Sequence, residues 1–193
     1  MTMHIIGRRL LLGVAATSLA ALPLRAQVSP PKVTTSEIKV EHIRIESDKP
    51  YAEVRSALEK LVPRFDDRIR VLLQYGEISR VKTELEKVQG NAGLVIFSVA
   101  PHGDWVQIVG QKQNAAQFVI GNVLIASQMT SRNAAAGLYA PLRIMLHETP
   151  AGTAVFEYDR PSDLFGQYGN PDVTAVATAL DKKIFDTLVA AAR

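Results

Sequence analysis

The chain contains no cysteine, which rules out disulfides, thiolate nucleophiles and cysteine-held zinc or iron–sulfur centres. Its fold must hold by packing alone. Aromatic residues are only 6% of the sequence and form no basic stripe with interleaved rings, so the electrostatic and stacking features that nucleic-acid binding draws on are missing. Acidic residues are absent from the first 26 positions, where Arg8, Arg9 and Arg25 fall. Subtracting those three from the 22 Lys and Arg leaves 19, equal to the 19 Asp and Glu. The basic balance therefore belongs to the N-terminus, and the rest of the chain is formally neutral. No Gly-rich phosphate loop, Gly-X-Ser-X-Gly elbow, Ser-X-X-Lys pair or His-Glu-X-X-His helix is present. No later run approaches the roughly 20 apolar residues that a spanning helix needs.

What is present begins with a short basic segment ending at Arg8 and Arg9, an apolar run from Leu10 to Leu22, then Pro23, Leu24, Arg25 and Ala26. That is the grammar of a secretory signal peptide over residues 1–26, with cleavage after Ala26. The Arg pair followed by three Leu is twin-arginine-like, whereas Gly7 and Gly13 depart from that pattern and leave the general secretion route open. The expected product is periplasmic or secreted, with no membrane span once the signal is cleaved. Residues 27–36, rich in Pro, Ser and Thr, read as a flexible linker, and residues 37–193 as a single domain.

Within that domain the segment from Glu37 to Glu46 alternates apolar and charged residues, which predicts a half-buried strand, with a phase slip at Glu41 to Ile43 that suggests a bulge. Ser47 or Asp48 then caps a helix with Pro50 in its first turn and Val54, Leu58, Leu61 and Val62 at helical spacing. Asp66 and Gly76 bracket a short helix, and Ile78, Val81, Leu85 and Val88 form one face of the next, with surface pairs Arg80–Glu84 and Lys82–Glu86. Leu94 to Val99 reads as a strand and Trp105 to Val109 as its hairpin partner. Gln117 to Ile120 is a further strand leading into a helix that starts at Asn122. Leu142 to Leu146 and Ala154 to Tyr158 form a hairpin, and Asn170 with Pro171 opens a final amphipathic helix. Together these elements predict an α+β fold: a single mainly antiparallel sheet of about five or six strands with helices packed on one face.

Four stretches also carry a resemblance. IGNVLIASQM (Ile120 to Met129), LYAPLRIMLHE (Leu138 to Glu148) and EYDRPS (Glu157 to Ser162) resemble the domain-of-unknown-function 302 family. In that family a Gly-Asn-Pro step precedes a helix, a Pro-Leu-X strand follows, and an Asp-X-Pro step closes the next strand. GLVIFSVAPHG (Gly93 to Gly103) is similar to the family's Gly-Leu-X-X-Phe strand ending near a His. The resemblance runs from about Glu37 to the C-terminus and implies a compact α+β fold with one antiparallel sheet, often paired as a dimer, and no particular reaction. Val123 stands where the family usually has Pro, while Asn122 keeps the capping role. The spacer from Pro63 to Lys87 is longer than in shorter members.

Candidate chemistry is sparse. His102 sits in a Pro-His-Gly-Asp turn at a strand end, where loops carry function. His42, His102 and His147 show no ligand spacing, so no metal is assigned, and the residues assign no cofactor. His147 beside Glu148 falls at a strand end. Tyr158, Asp159, Arg160 and Ser162 bring phenol, acid, guanidinium and hydroxyl together in one step that suits a polar ligand; otherwise Asp159 or Ser162 caps the turn after Pro161. Arg143 interrupts an apolar strand. It is an ordinary surface Arg if its face is wet, and needs a carboxylate or an anionic ligand if that face is covered. Asn122 is first a helix cap. Phe97, Trp105, Phe118, Met129 and Tyr139 are at core-like spacings. The reading is an exported, non-catalytic domain that binds a small molecule or a partner at His102, Asn122, Arg143, Tyr158, Asp159, Arg160 and Ser162, with no catalytic residue. Two alternatives stand beside it: an enzyme with a pocket centred on His102 and using Asp104 or Asp159, and a homodimeric structural or interaction module.

Overall fold

Period-two alternation in three central strands sets the architecture. The computed structural model describes residues 29–193; the expected signal peptide and cleavage after Ala26 lie outside the described residues, and residues 29–36 have no regular structure. Strands β1 (His42–Pro50), β2 (Val95–Ala100), β3 (Ala115–Gly121), β4 (Leu142–Glu148) and β5 (Thr153–Asp159) form one open sheet in the order β1-β5-β4-β3-β2, with every neighbouring pair antiparallel. Cross-strand pairs such as Phe118 with Ile144 and Leu146 with Phe156 bring the even-numbered side chains of β3, β4 and β5 onto one face, where they are buried. Helices α1 (Tyr51–Leu61) and α7 (Pro171–Ala192) cover that face, with Val54 and Leu58 of the first and Ala177, Ile184 and Leu188 of the second in the same core. The Asn170 side chain starts α7 by accepting from Asp172 N and Val173 N, and Pro171 occupies the first helical position, where a missing N–H costs nothing.

The remaining helices flank this layer. α2 (Arg68–Gln74) and α3 (Ile78–Val88) bury a satellite cluster of Ile69, Val81 and Leu85. α4 (His102–Trp105), α5 (Val123–Thr130) and α6 (Pro161–Gly166) are short, and 3-10 turns follow α4 at Val106–Val109 and α5 at Ala134–Leu138. Residues 37–193 make one compact unit. No helix among the described residues is long and apolar enough to cross a membrane.

Several local expectations are corrected. Trp105 to Val109 is helical, because the ladder partner of β2 is β3 (Val99 with Phe118) and α4 packs directly on the start of that strand. Trp105, Ile108 and Val109 are left exposed, so Trp105 is not a core residue. Strand β1 starts at His42, since its partner β5 ends at Asp159 and the alternating residues before it have no strand to pair with. Its irregularity lies between Glu46 and Pro50, and the strand runs straight into α1. Ser47 is therefore no cap: it is buried, and its hydroxyl donates to Ala192 O at 2.5 Å. On α3 the ion pairs are Arg80–Glu77 and Lys87–Glu84, at three-residue spacing.

Candidate functional site: an apolar cavity where the sheet passes into a helix

Three backbone features open a hollow at the end of β3. Opposite β3, the register of β2 shifts between Ile96 and Ser98, so Phe97 is an extra residue and its ring leaves the regular alternation. That ring stacks on Phe65 with centroids 4.9 Å apart, and the Arg70 guanidinium lies 5.1 Å from the Phe65 ring centre. Next, Gly121 ends β3 where a Cβ would stand 3.0 Å from Pro141 Cβ and 3.6 Å from Phe97, so only a bare backbone lets those two residues close in. Asn122 then caps α5: its side-chain oxygen accepts from Leu124 N at 2.7 Å and Ile125 N at 3.1 Å. Its amide donates to Gly93 O at 2.9 Å and to Gln89 Oε1, which ties the helix start to the turn before β2.

The space enclosed has a volume of about 440 Å³, within the ~300–1,000 Å³ range of small-molecule sites. Val123, Ile125, Ala126 and Met129 of α5 form one wall, and Leu142, Phe165 and Leu180 close the floor. Polar groups are few. Ser127 and Thr130 donate their hydroxyls to carbonyls of their own helix, which leaves Arg70 and the half-buried Tyr139 as the other polar side chains besides the capping Asn122. The lining holds no His, Lys, Asp or Glu. Of the side chains that commonly transfer protons, Tyr139 is the one in this lining among the described residues. A smaller hollow of about 60 Å³ shares Tyr139, Pro141 and Leu142 with it and reaches Arg143 and Asp159.

The residues singled out in the sequence are thus dispersed. Asn122 lines the main cavity as a cap. Arg143 is exposed and, like Asp159, lines the small hollow. Tyr158 points the other way, into the core; burial, before the nearby Asp181, pushes its hydroxyl up to about 12. Among the described residues no group hydrogen-bonds that hydroxyl. Arg160 pairs with Glu41, backbone to backbone at 2.9 Å and through its guanidinium, and Ser162 N donates to Asp181 Oδ1 at 2.8 Å at the start of α6. His102 is exposed at the start of α4 and lines neither hollow. The length of β3, roughly 20 Å at ~3.4 Å per residue, separates its end of the sheet from the cavity. Phe97, Arg70 and Gly121 were missed as site residues; the Gly121-Asn122 step was their one sequence signal.

A second cluster, also missed, occupies the uncovered face. Glu157 receives Arg44 Nη1 at 2.5 Å, His147 Nε2 at 3.2 Å and His42 Nε2 at 3.3 Å, while His42 Nδ1 bonds Asp159 Oδ1 at 2.9 Å. The period-two charges of β1 and β5 were its signal. The hydrogen bond with His147, ahead of that with His42, holds the Glu157 carboxyl below its ordinary 4.5. The bond to Asp159, first among several causes, holds the His42 imidazole above 6.5. A raised imidazole stabilises fully below its unfolded value and loses that contribution as pH climbs through its folded one. A lowered carboxyl stabilises fully above its unfolded value and loses it as pH falls through its folded one. The cluster therefore contributes most between about pH 4.5 and 6.5. With the His42 side chain 57% exposed, screening keeps the amount below about 1 kcal/mol. Urea titrations of the wild type and His42→Gln should differ most near pH 5.5 and converge by about pH 9; a gap independent of pH would rule out this origin. Among the described residues no group of three acidic, His or Cys side chains is placed to hold a metal.

The model of the family described as "Domain of unknown function DUF302" matches residues 69–191. A solved structure, the crystal structure of an uncharacterized conserved DUF302 protein from Bacillus stearothermophilus, is similar with a TM-score of 0.57 and 16% identity, covering 79% of this chain and 98% of that one. At that identity the likeness concerns the fold. No curated protein matches the chain. The Gly121-Asn122 helix start, the Pro141-Leu142 return to the sheet and the Asp159-Arg160-Pro161 step all lie inside the matched span, and the chain belongs to the DUF302 family.

Proposed function

We propose that this is an exported, non-catalytic domain that binds a small molecule in the cavity between α5 and the end of β3. The observation that carries this reading is the cavity: about 440 Å³, apolar walls and few polar groups. Export is supported by the leader grammar of the first 26 residues. A non-catalytic role is supported by a lining without a carboxylate, imidazole or amine and by the position of His102 outside it. A homodimeric module is the second reading, favoured by the exposed Trp105, Ile108 and Val109 side chains, an apolar surface that a second copy would cover.

Native mass spectrometry of protein recovered from its own host addresses both. A retained small molecule that is lost from Ala126→Trp, which fills the cavity, is the expected result. A bare monomer mass, together with no uptake of the neutral probe N-phenyl-1-naphthylamine by the purified protein, would overturn the binding reading. A dimer mass with an empty cavity would favour the second.

A further inference from the structure

The cavity carries one formal charge. Among the described residues Arg70 is the only ionic side chain in its lining, and no carboxylate lines the space. The guanidinium is also held in place: its face lies over Phe65, which stacks on Phe97, and its Nε donates to Asp67 Oδ1 at 2.9 Å. That bond uses one of five N–H donors. Among the described residues Nη1 and Nη2 have no hydrogen-bond partner. The Asp67 side chain is 84% exposed and that of Arg70 64%, so the pair lies in solvent at the edge of the cavity and water screens it. At one edge of the cavity stands a planar guanidinium with two unpaired terminal nitrogens, and the rest of the lining is largely apolar.

We infer that the cavity takes a small apolar anion, with a carboxylate or sulfonate on the terminal nitrogens of Arg70 and a hydrophobic body against Phe97, Val123, Ile125 and Met129. This rests on the reading of the cavity as a binding site. The fork matches a planar or trigonal anionic head group, which it meets with two parallel hydrogen bonds. A cationic ligand finds no acid in the lining among the described residues, and a neutral one leaves the donors unused. The apolar body is retained by burial against walls that are already formed. Its size is limited by the volume, which lies near the lower end of the small-molecule range. Phe97 contributes twice, as part of the wall and, through Phe65, as support for the plane on which Arg70 rests.

The test uses two probes that share one skeleton. 1-Anilinonaphthalene-8-sulfonate and N-phenyl-1-naphthylamine differ only by the sulfonate, and both fluoresce in apolar surroundings. Fluorescence titration of the full chain should give one site for each, with the sulfonate bound about tenfold more tightly, a difference typical of one charge-assisted contact. Arg70→Met should weaken the sulfonate about tenfold and leave the neutral probe unchanged, since Arg70 is on the surface of α2 and its loss does not disturb the core. Ala126→Trp should abolish both, with urea midpoints confirming that the variant folds; Ser127→Trp on the same wall is an independent block. Equal affinity for the two probes, or an Arg70→Met variant that binds the sulfonate undiminished, overturns the anion assignment and leaves the cavity reading standing. Neither probe binding, or both binding unchanged in the two Trp variants, overturns the cavity reading itself.

Discussion

Replacing Gly103 by alanine is expected to destabilise the protein by about 3 kcal/mol, near the top of the usual range for forcing extra volume into a packed region. A Cβ there would stand 2.1 Å from Gln113 O and 2.8 Å from Ala115 N. Both are main-chain atoms, so neither can rotate aside. Either α4 lifts off the start of β3 or the first residues of that strand leave the sheet. Gly110, at the end of the following 3-10 turn, is the control. Its φ is +74°, and nothing lies within 4 Å of a Cβ there, so Gly110→Ala carries only the left-handed strain of about 1–2 kcal/mol. Urea unfolding of both variants measures the two terms separately. If Gly103→Ala costs no more than Gly110→Ala, the close approach of α4 is not a packing constraint. The expected result also changes the meaning of the Pro-His-Gly-Asp turn: its glycine is there for backbone contact, and His102 is carried to the surface beside it.

The misreading of Trp105 to Val109 has the same root. An apolar run beside a strand is read as its hairpin partner when the segment is considered alone. Yet β2 needs a neighbour whose alternate residues complete the core, and Ala116, Phe118 and Ile120 of β3 do so. The nearer segment loses that competition and forms a helical corner with its large side chains in solvent. Where no competitor existed, alternation and caps were sufficient. The β4–β5 hairpin, the Asn122 and Asn170 helix starts and the apolar stripe of α7 all form as the pattern predicts. At β1 the alternation was real but too generous by five residues, because a strand can extend only as far as its partner.

The cavity was far less legible than the fold. Its walls come from elements between Arg70 and Leu180, and each contributes apolar residues that look like ordinary core when read in sequence. What converts them into a lining is a register shift that re-aims Phe97 and a missing Cβ at Gly121. Neither is visible in hydrophobic periodicity. The polar candidates are dispersed, with Asn122 at the main cavity and Arg143 and Asp159 at the small hollow, for the complementary reason. Successive residues of a strand point to opposite faces, so Tyr158 and Asp159 could not share a site. Spacing by two, as in His42 and Arg44 or Glu157 and Asp159, was the pattern that gathered charges.

Asn122→Ala is expected to cost about 2–4 kcal/mol, combining a lost cap of about 1 kcal/mol with the stranding of a partly buried carbonyl at Gly93. The residue is 9% exposed and uses both ends of its amide, accepting from Leu124 N and Ile125 N and donating to Gly93 O and Gln89 Oε1. Asn122→Ser separates these roles: it keeps an acceptor for the cap and loses the donors, so it should fall between wild type and alanine. Asn122→Asp keeps the cap but sets a carboxylate against the Gly93 carbonyl, and should be no better than Ser. Val123→Pro should move the other way, raising stability by up to about 1 kcal/mol. Asn122 has φ −145° and ψ 124°, an extended conformation that a residue before proline adopts freely, and neither bond to the Asn122 oxygen comes from Val123 N. Urea denaturation of the four variants orders them. Val123→Pro falling below wild type would mean that Val is needed for the wall of the cavity, and the naphthylamine titration of that variant would then show a weakened site; a stable variant with intact binding would mean that Val at this position is a tolerated departure from the family pattern.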